Sequence, residues 1–111
     1  MSPTQRALAE LRRLGAVAAI VERWNPHAKI RQDLFGCIDI LYLIGKNTVG
    51  VQVTSGSNHA ARRKKILAEP RVAAWLRAGN LLEIWSYSKT GVRGKRKMWT
   101  CRKEEITLEG T

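Results

Sequence analysis

At 111 residues the chain is long enough for one domain with a modest hydrophobic core, and its 44% hydrophobic content belongs to a globular rather than a disordered protein. Twenty lysines and arginines against nine acidic residues give a formal net charge of +11. In so small a domain that charge makes a polyanion, above all nucleic acid, the expected partner. No apolar run approaches the ~20 residues of a spanning helix, the polar start has no signal-peptide pattern, and Cys37 and Cys101 show no metal-ligand spacing. These features predict an intracellular protein with reduced thiols and no membrane partner.

The first segment reads as a helix. Ser2 is a cap, Pro3 suits the first helical position, Gln5 suits a capping box, and Ala7, Leu8, Leu11 and Leu14 recur on one face. Arg12 and Arg13 complement the helix dipole, and Gly15 suits the position just past the end. Residues 16–21 are β-branched enough for a strand that Glu22 ends, and Asn25-Pro26 turns the chain. Residues 27–33 read as a polar loop or edge segment containing Lys29 and Arg31, while Trp24 is expected in the core.

Residues 37–44 form a nearly continuous apolar run, long enough for one buried strand, interrupted only by Asp39. Gly45-Lys46-Asn47 supplies a turn, and residues 48–54 return antiparallel with Gln52 inside the strand. A carboxylate in such a run is costly to bury unless it is paired, hydrogen-bonded or metal-bound, so Asp39 requires a partner, and Gln52 is placed to share it. Ser55 to Asn58 is a loop with capping residues. A helix follows over about 59–68 with Arg62, Arg63, Lys64 and Lys65 in succession, and Pro70 opens a second helix that packs through Val72, Trp75 and Leu76. Gly79-Asn80 ends it. Residues 81–88 make the next strand, and a Gly-punctuated basic tail returns through 98–101, with 106–108 extending the edge. The predicted architecture is a single α/β (α+β) domain over 1–111, in the order α-β-β-β-α-(α)-β-β, with a mixed sheet flanked by helices and a basic C-terminal hairpin at about 81–103.

Asp39 followed, after a turn, by Gln52-x-Thr54 on the next strand resembles the core motif of the PD-(D/E)XK nuclease superfamily, in which Asp precedes Glu-x-Lys or Gln-x-Lys. The run R-Q-D-L-F-G-C-I-D-I-L followed by G-V-Q-V-T-S looks closest to the Holliday-junction-resolvase and phage-type branch. The likeness extends over about 15–88, chiefly by order of elements. It implies a restriction-endonuclease-like core and a Mg²⁺- or Mn²⁺-dependent DNA endonuclease. Asp39 would be the central metal ligand, with the Gln52 amide oxygen and the Val53 carbonyl beside it, and Glu22 and Asp33 would flank it from the strand ends. Glu10 on the first helix is the alternative acid. The opposing role for Asp39 is a carboxylate paired with arginine.

Thr54 stands where the family has its lysine, and Lys64 or Lys65 on the following helix is the expected substitute. Two basic segments, Arg62, Arg63, Lys64 and Lys65, and Arg93, Lys95, Arg96 and Lys97, together with Arg31, are expected to contact DNA along one groove. Trp85, Tyr87 and Trp99 are expected to pack within the core or across strands rather than to stack on bases, and His27 and His59 to lie at the surface or at a helix start. No phosphate-binding loop is present, so no nucleotide cofactor is expected; a two-fold homodimer would suit a junction substrate. Two functions follow from the sequence: a metal-dependent endonuclease, with branched DNA as a candidate substrate, or a nuclease fold that binds nucleic acid without cleaving it because Thr54 replaces the lysine.

Overall fold

The computed structural model describes residues 1–108. Two long strands, β5 (Asn47–Ser55) and β6 (Leu81–Thr90), lie parallel at the centre of a five-stranded sheet. A parallel pair needs a long crossover, and here it contains α2 (His59–Leu67) and α3 (Pro70–Arg77). The remaining strands, β1 (Val17–Ile20), β4 (Ile40–Ile44) and β7 (Met98–Ile106), complete the order β1-β4-β5-β6-β7 with antiparallel pairing. Helix α1 (Pro3–Arg13) covers the opposite face. This is the expected α+β arrangement of a mixed sheet between helices.

Side-chain alternation assigns the two faces. Val49, Val51, Val53, Trp85 and Tyr87 pack with Ala7, Leu8 and Leu11 of α1. Leu82 and Ile84 pack with Ile66 of α2, Val72 of α3, and Ile38. Gly50 lies on this second face, where a Cβ would stand 2.8 Å from Ile38 Cδ1 and 3.2 Å from Trp75 Cζ2. The absence of a side chain therefore lets α3 approach. Trp75 lodges there with its indole N–H donating to the Leu81 carbonyl at 2.7 Å. Ser2 caps α1 as expected, accepting the Gln5 N–H at 3.2 Å, and Gly15 ends that helix region with φ +85.

Several expectations require correction. Residues 27–33, expected as a polar loop or edge segment, contain a strand outside the main sheet: β2 (Arg23–Asn25) and β3 (Ile30–Gln32) form a separate two-stranded hairpin. Trp24 is 54% exposed on that hairpin instead of lying in the core, because neither strand packs on the main sheet. Leu14 is exposed where α1 gives way to Gly15. Strand β4 begins at Ile40, so Asp39 stands just before the strand, not inside it. The last strand runs far beyond residue 101, reaching Ile106 in the core. Among the described residues no helix is long and apolar enough to cross a membrane.

Ile84 is fully buried at the centre of β6. Ile84→Ala should cost about 2–5 kcal/mol in a denaturant titration, whereas Trp24→Ala should stay within about 0.5 kcal/mol of the parent, as surface substitutions do.

Candidate metal centre

The β2–β3 hairpin builds the acidic site. Its outermost pair is Arg23 opposite Gln32. The residues next along each arm, Glu22 and Asp33, therefore meet at its base. Asp39 arrives between them because its backbone is fixed on both sides: the Val21 N–H donates to the Asp39 carbonyl at 2.8 Å, and the Asp39 N–H donates to the Val51 carbonyl at 2.9 Å. The chain between Asp33 and Asp39 makes a tight turn in which Phe35 and Gly36 adopt φ of 53 and 75. For Phe35 that left-handed backbone is costly, and it is a local strain at the rim of the site. The result is a cluster in which carboxylate oxygens of Glu22, Asp33 and Asp39 lie within 4.8 Å of one another.

Asp39 is only 4% exposed. Its Oδ2 accepts two hydrogen bonds, from Gln52 Nε2 at 2.8 Å and from the Val53 N–H at 2.8 Å. Burial, then the neighbouring Asp33 carboxyl, push its pKa up to about 8, with the Glu22 charge adding to the rise and the Val53 N–H opposing it. Among the described residues no lysine or arginine pairs with Asp39; the nearby Arg31 is spent on Glu22 at 3.5 Å. The arginine-paired role for Asp39 is thus not what the structure holds. Gln52 is 2% exposed, and its Oε1 is buried without a hydrogen-bond partner. It is the amide nitrogen that faces Asp39, and the amide oxygen is left without an acceptor role among the described residues. Val53 contributes its N–H to Asp39, where the resemblance implied its carbonyl.

A cleft of about 390 Å³ opens beside Asp33, lined by Arg31, Gln32, Gly36, Lys65 and Arg71 as well. The Arg71 guanidinium is fixed bidentately by Glu69, at 2.7 and 3.0 Å. Lys65, not Lys64, is the α2 lysine that lines this cleft. Glu10 is on the α1 side, paired with Lys103 at 3.1 Å, and takes no part in the cluster. Thr54 is buried on the same strand as Gln52 and offers no cation. Of the other basic residues, Arg63 is held by Glu104 at 2.7 Å, while Arg62 stands on α2 and Arg93, Lys95, Arg96 and Lys97 lie in the exposed β6–β7 connection.

His59 opens α2, as a helix-start histidine was expected to, but it is 3% exposed rather than at the surface. Its Nδ1 meets Ser86 Oγ, and its Nε2 meets Glu104 Oε1 at 2.7 Å. The signal was present: His59, Arg63 and Ile66 fall on one helical face, and Ile66 is core. Ser86 is as enclosed as His59, and this chain of groups ties the start of α2 to β6 and β7. The Cys37 thiol is pushed up to about 11, chiefly by burial, and is unreactive at neutral pH. No protein-family model matches the chain, nor does any curated protein or solved structure.

The raised Asp39 pKa has a defined consequence for stability without metal. The folded protein holds a proton that the unfolded chain, titrating near 3.8, releases. The contribution is fully present below about pH 4 and is lost as pH rises through about 8. Asp39→Asn keeps an oxygen for the two N–H donors and has no charge. In EDTA at pH 8 or above, it should be more stable than the parent by at least about 1 kcal/mol, the difference shrinking towards pH 4 when unfolding is followed at each pH.

Proposed function

We propose that this protein is a metal-dependent DNA endonuclease of the PD-(D/E)XK kind, with its centre at Glu22, Asp33, Asp39 and Gln52. The observation that supports this reading is the carboxylate cluster of a strongly basic protein, half-buried at Glu22 and Asp33 and buried at Asp39, where the Gln52 amide bonds Asp39 and keeps an oxygen with no partner. The four groups fit Mg²⁺ or Mn²⁺: all offer oxygen, the ligand these ions take, and one acceptor is otherwise unmet. When bound there, such an ion supplies an activated water and stabilises charge on a phosphate.

The chain's own residues have separate tasks in this reading. Gln52 and the Val53 N–H hold Asp39 Oδ2 in place, which leaves its other oxygen to face Asp33 and Glu22. Lys65 lines the adjoining cleft and receives phosphate oxygens, while Arg31 and Arg71, paired with Glu22 and Glu69, add positive charge to its wall. Arg62, Lys64 and the cations at 93–97 add sequence-independent attraction for the backbone, which makes binding fall steeply with salt. Substitution of Gln for the usual acid removes one negative charge, and Glu22 and Asp33 together restore it.

A second reading has its own support. Thr54 is buried and uncharged at the position of the motif lysine, and Lys65, the α2 lysine that could replace it, lies in the cleft. A protein that keeps the fold and binds DNA without cutting it would look the same there.

Labelled linear, flapped and four-way DNA incubated with Mg²⁺, Mn²⁺ or EDTA separates the two. The nuclease reading expects metal-dependent cleavage that falls by at least ~100-fold in Asp39→Asn, while that variant's DNA affinity stays level or rises because a negative charge near phosphate is gone. Salt-sensitive binding with no cleavage under any metal selects the binding-only protein.

A further inference from the structure

A second cavity lies on the other face of the sheet, about 350 Å³ between α1 and the β6–β7 ribbon. Trp99 forms one wall and is 44% exposed. Its ring is covered by the Arg6 guanidinium, centred 4.1 Å away, and approached by Lys89 Nζ at 5.3 Å. Three polar atoms of residues lining this cavity are buried without a hydrogen bond among the described residues: Arg6 Nε, Tyr87 Oη and Glu10 Oε2, the last ion-paired with Lys103 at 3.1 Å. Tyr87 has only the weakly bonding Cys101 thiol beside it, on the paired strand. Buried groups of this kind ordinarily find a partner, and the Arg6 and Tyr87 side chains that carry two of them line the cavity.

We propose that this cavity is a subsite for one unpaired nucleobase of single-stranded nucleic acid. A base has the planar π-face that an exposed indole and a stacked guanidinium receive. Its edge bears both donors and acceptors, which suits an Arg N–H donor beside a Tyr hydroxyl that can do either. The neighbouring phosphates find Arg13 at the mouth and Lys89 beside Trp99. A free carboxylate is disfavoured, because Glu10 stands in the same wall. A base inside a duplex is disfavoured too, since its faces are already stacked. The basic β6–β7 connection continues directly from this point: Lys89 opposite Trp99 and Thr90 opposite Met98 are the last pairs before it.

The subsite extends the nuclease reading without depending on it. Asp39 precedes β4, and Trp99 is on β7, three strand spacings or about 14 Å across the sheet. Both lie towards the end where β5 and β6 finish, since Asp39 bonds the Val53 N–H and Ser55 pairs with Tyr87. A strand rounding that end would reach both.

Fluorescence anisotropy with the full chain in EDTA tests the subsite, using a labelled thymidine oligomer of ~8 nucleotides, the same backbone lacking bases, and a blunt duplex. The parent should bind the oligomer roughly tenfold or more tighter than the baseless backbone, a margin expected for one stacked base. Trp99→Ala should abolish that margin, and Trp99→Phe should keep most of it. Equal affinity for the oligomer and the baseless backbone, tightest binding to the duplex, or an unchanged margin in Trp99→Ala would each overturn the proposal. Asp39→Asn should retain the full margin, so a failure of cleavage at the metal centre and a failure of base binding are read separately.

Discussion

The two hydrogen bonds that Asp39 Oδ2 accepts, from the Gln52 amide and the Val53 N–H, join the elements on which the site depends. They tie the segment before β4 to the middle of β5, at a depth where a carboxylate is expensive to keep. Two further carboxylates converge on the same point. Like charges in a poorly solvated place raise the cost of ionisation, which is why the Asp39 proton is held up to about pH 8. A cluster of one buried and two half-buried carboxylates is unfavourable as packing alone, and strained or costly features of this kind concentrate at functional sites.

The rest of the fold serves that placement. The parallel β5–β6 pair sets a rigid platform, with apolar layers on both faces. Gly50 leaves room for Trp75 and so lets α3 close against the sheet, bringing Arg71 to the cleft rim. The Ser86–His59–Glu104–Arg63 chain anchors the start of α2, the helix from which Lys65 reaches the same cleft. The hairpin makes no comparable contribution to the core. Its work is to close its base, which delivers Glu22 and Asp33 to Asp39 from positions 11 residues apart in the chain.

Much of this was legible in the residues. The strands of the main sheet follow from β-branched runs between Gly, Pro and Asn punctuation, and the helices from caps and apolar spacing. Asp39 stood out because a lone carboxylate in an apolar run demands a partner, and Gln52 and Val53 proved to be that partner. Glu22 and Asp33 were named as flanking acids, but the device that unites them was not seen: a three-pair ribbon of polar and mixed residues has no periodicity strong enough to separate it from a loop. Trp24 was misplaced for the same reason, since an isolated tryptophan reads as core unless the strand beneath it is known to leave the sheet. His59 was missed because burial of a polar group is decided by partners, here Ser86 and Glu104, that lie 27 and 45 residues away. The choice of Lys65 over Lys64 turns on a rotation of one helical position, finer than sequence periodicity resolves.

Direct titration of Mn²⁺ into the protein at pH 7, with proton release followed by calorimetry in two buffers of different ionisation enthalpy, addresses the central claim. A cation site formed by Glu22, Asp33, Asp39 and Gln52 predicts saturable binding of one ion per site, about one proton released as Asp39 ionises, and loss of both signals in Asp39→Asn. Absence of saturable binding at millimolar metal, or equal binding by the Asp39→Asn protein, would contradict it.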